Sequence, residues 1–311
     1  MQTVETFACP KCHILLQESS STLICPQCGS IYRMREEGVF DLRIDQTEYK
    51  DWMSASPQAM ASYLIHVSPT EMAGARHMVR NYLHGVLKYS SIPPQGKILS
   101  IGCGGGWDVG ELLDMGYKAW GVDNGSRYHL WEKHDYKKYL SLADALHLPF
   151  IDNYFDFSFA EGVIEHIGCD GDGFLLKMNW KEDRQMFVDS LIRVTKPGGV
   201  ILIACPNKLF PVDFYHGGKS ILGIMMRFHS PRENFLLSFK DIKSFLNAKV
   251  EDLTALTLKN FFNLRSNLYD GYIRNVIFRI ADFTFGLLPD SIWNSPLSPY
   301  IVVLARKSGN K

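Results

Sequence analysis

Apolar positions recur along this chain with two different periods, and the switches between them mark its elements. Short, mainly apolar runs occupy Lys97 to Ile101, Lys118 to Val122, Tyr139 to Leu142 and Val200 to Ala204, the pattern of strands buried on both faces. Tyr154 to Phe159 (YFDFSF) adds a strand with aromatic residues at alternate positions. Helical spacing takes over between the runs, over Val109 to Met115, over Ser126 to Asp135 with Ser126 as N-cap, and over Asp183 to Val194. Buried strands alternating with helices predict an α/β sheet.

On either side of this block the pattern is looser. Met72, Ala75, Met78, Val79, Tyr82 and Val86 form one helical stripe, stopped by Ser90-Ser-Ile-Pro-Pro94. Lys240 to Leu246 reads as a helix, Val250 to Leu258 as a strand, and Tyr300 to Ala305 as a last strand closing the sheet. Tyr269, Tyr272, Ile273, Val276, Ile277 and Ile280 form another apolar stripe. With only Arg274 and Arg279 to offer a polar face, that stripe is expected to pack on the domain, not on a membrane surface.

The chemistry gathers where the first of the sheet strands ends. Gly102-Cys-Gly104-Gly105-Gly106 follows it at once, so the backbone can turn sharply and approach a ligand closely. The helix behind this turn aims its free N–H groups at whatever occupies the glycines. Asp123 stands at the carboxyl end of the next strand, where open α/β sheets bind ligands and where a carboxylate suits a ribose diol. The spacing is not the dinucleotide G-x-G-x-x-G: the third glycine comes one residue early and Trp107 takes the later slot.

Composition narrows the possibilities. The chain has 311 residues, 46% of them hydrophobic, with 33 basic and 33 acidic side chains. No global charge favours nucleic acid or an anionic membrane. No signal-peptide pattern opens the chain and no apolar run is long enough for a membrane span, so a cytoplasmic location is expected. Cys9-Pro-Lys-Cys12 and Cys25-Pro-Gln-Cys28 are two C-x-x-C knuckles, whose four thiolates suit a closed, structural Zn²⁺ site. Residues 1–45 carry four basic side chains (Lys11, Arg33, Arg35, Arg43) against six acidic ones (Glu5, Glu18, Glu36, Glu37, Asp41, Asp45). That balance favours a structural or docking module over an RNA grip.

Ile-Gly-Cys-Gly-Gly-Gly followed by the acid-ended Gly-Val-Asp resembles the class I S-adenosylmethionine-dependent methyltransferases. Ala143-Asp144-Ala145-Leu146, the run Ala160 to Ile167, and Arg193-Val-x-Lys-Pro-Gly-Gly199 extend the resemblance over residues 96–207. It implies a doubly wound, seven-stranded mixed sheet of Rossmann-like type. It also implies that Gly102, Gly104 and Gly106 cradle the cofactor, Asp123 takes its ribose, and Asp144 accepts from its adenine amino group. The Ala145 backbone N–H would meet the ring, and the Gly102 and Glu161 carbonyls would face the sulfonium. One departure is Ser100, where the family usually places an acid. The N-P-P-Y motif of amino-directed DNA methyltransferases is missing, and Cys205-Pro206 reverses the order used by cytosine C5 enzymes. Quinone O-methyltransferases can place an E-x-x-E-H metal site here; the first position in this chain is Gly162, so a catalytic divalent metal is not expected.

Residues 24–42 resemble the zinc ribbons that precede many bacterial methyltransferases and the small activator subunits of tRNA and protein methyltransferases. The domain expectation is a ribbon over 1–45, a helical cofactor-covering segment over 46–95, and a methyltransferase domain over 96–311. A lid at about 206–237, rich in aromatic residues, would build the acceptor pocket. His166 and His216 are the candidate bases for deprotonating a hydroxyl. The leading expectation is methylation of a small molecule, sugar or lipid-linked intermediate at oxygen. Two alternatives stand beside it: a ribosomal or transfer RNA methyltransferase, and a non-catalytic binding subunit.

Overall fold

A computed structural model describes residues 6–46, 51, 53–171, 174–216, 219–221, 224–246, 249–261, 283–284 and 287–309. Four short strands come first. β1 (Gln17–Ser19), β2 (Thr22–Ile24) and β3 (Ile31–Arg33) form an antiparallel sheet, and β4 (Phe40–Asp41) leaves it for the main sheet. Helices α1 (Pro57–Ser62), α2 (Ser68–His77) and α3 (His84–Tyr89) follow, joined by π-type turns at Tyr63–Val67 and Met78–Leu83. Ser56 caps α1 by accepting from the Ala59 N–H, and Pro57 pre-sets its first turn. Val79, Tyr82 and Val86 of the predicted stripe are buried, but Met72 is 44% exposed. Each π-type turn inserts a residue and rotates the apolar face, so one stripe cannot run through it.

The alternating block then builds the main sheet. Its elements are β5 (Lys97–Ile101), α4 (Trp107–Asp114), β6 (Lys118–Asp123), β7 (Leu140–Leu142), β8 (Phe155–Glu161), α5 (Trp180–Val194) and β9 (Thr195–Pro206). After a small antiparallel sheet of β10 (Val212–Asp213), β11 (Lys219–Ile221) and β12 (Ile224–Phe228) come α6 (Phe239–Leu246), β13 (Val250–Ala255) and β14 (Tyr300–Lys307). The strand order is β13-β14-β9-β8-β5-β6-β7-β4, parallel from β9 to β4, with β14 antiparallel to both neighbours. This is the expected doubly wound mixed sheet with one strand more than seven. The addition is β4, which pairs with β7 through Phe40↔Ser141 and Asp41↔Leu142 and covers an edge that would otherwise be open.

Strand periodicity divides the core into two layers. Leu99, Ile101, Trp120, Ile201 and Ile203 face α5, α6 and the N-terminal segment, whose Phe7, Leu16, Leu23, Tyr32 and Phe40 enter the same cluster. Ile98, Ala119, Leu140, Phe157 and Leu202 face α3 and α4 on the other side. The N-terminal residues thus share the sheet's core instead of forming one of their own.

Several boundaries differ from the sequence reading. Ser126–Lys133 forms successive 3₁₀ turns, and Ser126 is no N-cap: its N–H donates to Asp51 Oδ2 at 2.8 Å. A tertiary contact overrides its helical pattern here: Trp131 Nε1 pins the segment to the Gly104 carbonyl at 2.8 Å. β13 stops at Ala255, and α4 begins at Trp107, earlier than the pattern indicated. The apolar stripe at 269–280 lies outside the described residues. Among the described residues no helix is long and apolar enough to cross a membrane.

Candidate functional site

Two adjoining cavities open at the carboxyl ends of β5 to β8, of about 670 and 420 Å³. They share Ile101, Gly102, Arg127, Gly162 and Tyr215, so the glycine turn stands between two lobes of one space. Gly102 has φ +73°, and a Cβ there would lie 2.4 Å from Val163 Cγ2. That stiff neighbour excludes any side chain and keeps the main chain bare toward the cavity. Gly104 borders the smaller lobe. Gly106 borders neither: it caps α4 at φ +79°, and its missing Cβ would meet Leu140 Cδ1 at 2.8 Å. Close packing of α4 on β7, not ligand approach, demands glycine at that position.

The larger lobe holds Asp123, Asp144 and Ala145. Asp123 accepts from the Gly125 N–H at 2.7 Å and the Gly104 N–H at 2.9 Å, which locks the glycine turn to the end of β6. Asp144 Oδ1 accepts from the Leu146 N–H at 3.0 Å, capping the short turn Ala145–His147 and leaving Oδ2 for a ligand. The N-terminal segment reaches this wall. Arg43, held by Asp41 at 2.7 Å, lies 3.4 Å from the Asn124 carbonyl, and Asn124 lines the cavity.

In the smaller lobe Ser100 meets an acid from another element. Ser100 Oγ donates to Asp108 Oδ2 in a short hydrogen bond, and the Val109 N–H donates to Oδ1 at 2.8 Å. Asp108 sits in the first turn of α4, buried, its carboxyl pushed up to about 6 by that burial. Glu161 lines the same lobe; burial, with the Asp108 and Glu165 carboxylates nearby, raises it to about 7. Arg127 spans both lobes, held by Glu71 of α2 at 3.0 Å, and Glu71 also accepts from the Tyr63 hydroxyl at 2.7 Å. Sequence reasoning missed Asp108 and Arg127, since only folding places a first-turn acid beside Ser100. An acid opening a helix behind a glycine turn was the available signal.

The two histidines come from distant segments and meet at the larger lobe. His166, in the loop after β8, and His216, beyond β10, both line the larger lobe, with Nε2 atoms 3.1 Å apart. His216 Nδ1 lies 2.9 Å from Asp213 Oδ2. An ionised carboxylate only accepts, so Nδ1 carries a proton toward Asp213. Asp213 also accepts from the backbone of Tyr215 and His216 and from Arg227 at 3.2 Å. Its burial opposes the charge, yet these partners hold its carboxyl well below the usual range. His166 is lowered to about 4, chiefly by burial and then by the His216 and Arg184 charges. Arg184, itself buried, donates to the carbonyls of Glu165, Ile167, Asn234 and Phe235 and so fastens the lid's end to this loop.

The four N-terminal cysteines are reduced, and their sulfurs all lie within 4.8 Å of one another, with Cys9 and Cys28 3.8 Å apart. Four sulfurs about 2.3 Å from one ion in a tetrahedron stand about 3.8 Å apart. The donor set therefore fits one metal ion with no open position.

Residues 99–203 match the family model described as a methyltransferase domain. A curated relative is the malonyl-[acyl-carrier protein] O-methyltransferase of Buchnera aphidicola subsp. Baizongia pistaciae (strain Bp), 28% identical over 147 residues. That match takes in 47% of this chain and 51% of the relative, so the chain spans about half the length of the curated relative it matches. Among solved structures, phosphoethanolamine N-methyltransferase 2 of Haemonchus contortus with S-adenosyl-L-methionine superposes with a TM-score of 0.43 at 16% identity, covering 80% of this chain and 59% of that one. A SAM-dependent methyltransferase from Aquifex aeolicus does so with 0.41 at 15%, covering 72% and 88%.

Proposed function

We propose that this chain transfers a methyl group from S-adenosylmethionine to an oxygen of a small molecule, sugar or lipid-linked acceptor. The observation that carries the reading is the two-lobed cavity folded around Gly102, with Asp123 and Asp144 in one lobe and Asp108 in the other. Both lobes have the size of ligand sites. Their carboxylates match the donors of a nucleoside with a methionine tail: Asp144 for an amino group, Asp123 for a diol, Asp108 for an ammonium. Arg127 suits the carboxylate of that tail. When bound, the cofactor brings the electrophilic methyl group. The chain's own task is alignment, which is worth about 7–11 kcal/mol in favourable cases.

His216, oriented by Asp213, takes the acceptor's proton at Nε2, and His166 beside it stays neutral because burial disfavours its charge. The histidines mark the acceptor end of the larger lobe, where Phe174 and Tyr215 add apolar walls. Oxygen as the methylated atom is supported by the curated relative, whose name assigns methylation at oxygen. The four thiolates we read as a structural zinc site that holds the ribbon's knuckles together. Tritiated methyl transfer into fractionated cell extract tests the function, with label expected in small-molecule, glycan or lipid fractions. Absence of calorimetric heat with millimolar S-adenosylmethionine overturns the cofactor reading; full turnover by His216→Ala removes the base.

A further inference from the structure

We propose that Glu165, His166 and His216 form a second metal site, for one divalent transition-metal ion, in the wall of the acceptor lobe. Glu165 is fully buried, and among the described residues neither carboxylate oxygen has a hydrogen-bond partner. A buried carboxylate without partners is costly, and few folds retain one without a ligand to satisfy it. Buried Arg184 spends its donors on main-chain carbonyls, that of Glu165 included, and not on this carboxylate. The carboxylate instead faces the histidines, with Oε1 4.0 Å from His216 Nε2.

The histidine geometry points the same way. Two imidazole nitrogens about 2.1 Å from one ion stand about 3.0–3.4 Å apart for angles between a right angle and a tetrahedron. His166 and His216 present Nε2 atoms 3.1 Å apart, from residues 50 positions apart in sequence. One ligand atom from each of the three residues falls within 4.8 Å of the others. Asp213 on His216 Nδ1 supplies the outer-shell carboxylate that fixes a ligating imidazole with Nε2 inward. Two imidazoles and one carboxylate suit Zn²⁺, Fe²⁺ or Co²⁺, and three protein ligands leave positions open toward the cavity. The third ligand comes from the lid, so the chain pattern after β8 shows only two of the three.

An ion here would lower the pKa of a hydroxyl bound to it, so that its proton would pass to solvent water through the open cavity and not to His216. That use rests on the transferase reading; the ion's binding does not. The test is Co²⁺ titration of the full chain with zinc left in the thiolate site, followed by visible absorption and metal analysis. The expected result is one Co²⁺ per chain, with ligand-field bands and no thiolate charge-transfer band. Glu165→Gln, which keeps the side chain's shape, and His216→Ala on the lid should each lose that equivalent by at least tenfold in affinity. Near-ultraviolet dichroism checks that each variant folds. No Co²⁺ uptake by the wild type overturns the site, as does equal uptake by wild type and both variants. Calorimetry with S-adenosylmethionine runs alongside: Co²⁺ uptake without cofactor binding would sink the transferase reading and leave the metal site standing.

Discussion

Replacing Asp108 by Asn should move stability and cofactor affinity in opposite directions. Burial raises this carboxyl from 3.8 to about 6, so the folded protein holds the proton more tightly than the unfolded chain. Stability is then fullest below pH 4 and falls as the pH rises toward 6, by up to about 3 kcal/mol for a shift of this size. At pH 8 the charged form carries that penalty, and a bound ammonium would relieve it. Asn keeps the acceptor for the Val109 N–H and turns a donor toward Ser100 Oγ, which can accept. Asp108→Asn is therefore expected to be more stable at pH 8 by about 1–3 kcal/mol, a rise of several degrees in melting temperature. At pH 4 the two proteins should melt together. Losing a charged hydrogen bond to the cofactor costs about 1.5–3 kcal/mol, or roughly 10–100-fold in affinity. Scanning calorimetry at both pH values and titration calorimetry with S-adenosylmethionine read the two effects. A variant that melts lower at pH 8, or binds the cofactor unchanged, refutes the assignment of Asp108.

Further expectations concern the frame around the site. Gly102→Ala forces a side chain into a left-handed residue against Val163 and should lose cofactor binding together with about 1–3 kcal/mol of stability. Gly106→Ala, facing Leu140 instead of the cavity, should lose comparable stability by denaturant melts yet bind cofactor nearly normally where it remains folded. Arg184→Met strands four main-chain carbonyls and should cost more than about 3 kcal/mol in urea unfolding. Stripping metal from the four thiolates, or Cys9→Ser, should remove one zinc per chain and speed amide exchange in Leu140–Leu142, since β4 then leaves that edge.

Local pattern carried much of this protein. Mainly apolar runs marked β5, β6, β7 and β9 because a strand buried on both faces has little polar surface to show, alternate aromatics marked β8, and the glycine turn announced itself because only glycine fits φ +73° against Val163. The spacing of two C-x-x-C pairs likewise foretold a cluster of four thiols, since each knuckle is a local turn. What depended on distant chain segments stayed hidden. The eighth strand is two residues long and has no pattern of its own; it exists because β7 offers it an edge. Asp108 meets Ser100 only once α4 packs over β5, and the Arg184 donors reach main-chain carbonyls instead of the Glu165 carboxylate only once the segments around them meet. A sequence records which groups a chain owns, whereas burial and the partners that satisfy or abandon them arise when separate segments meet.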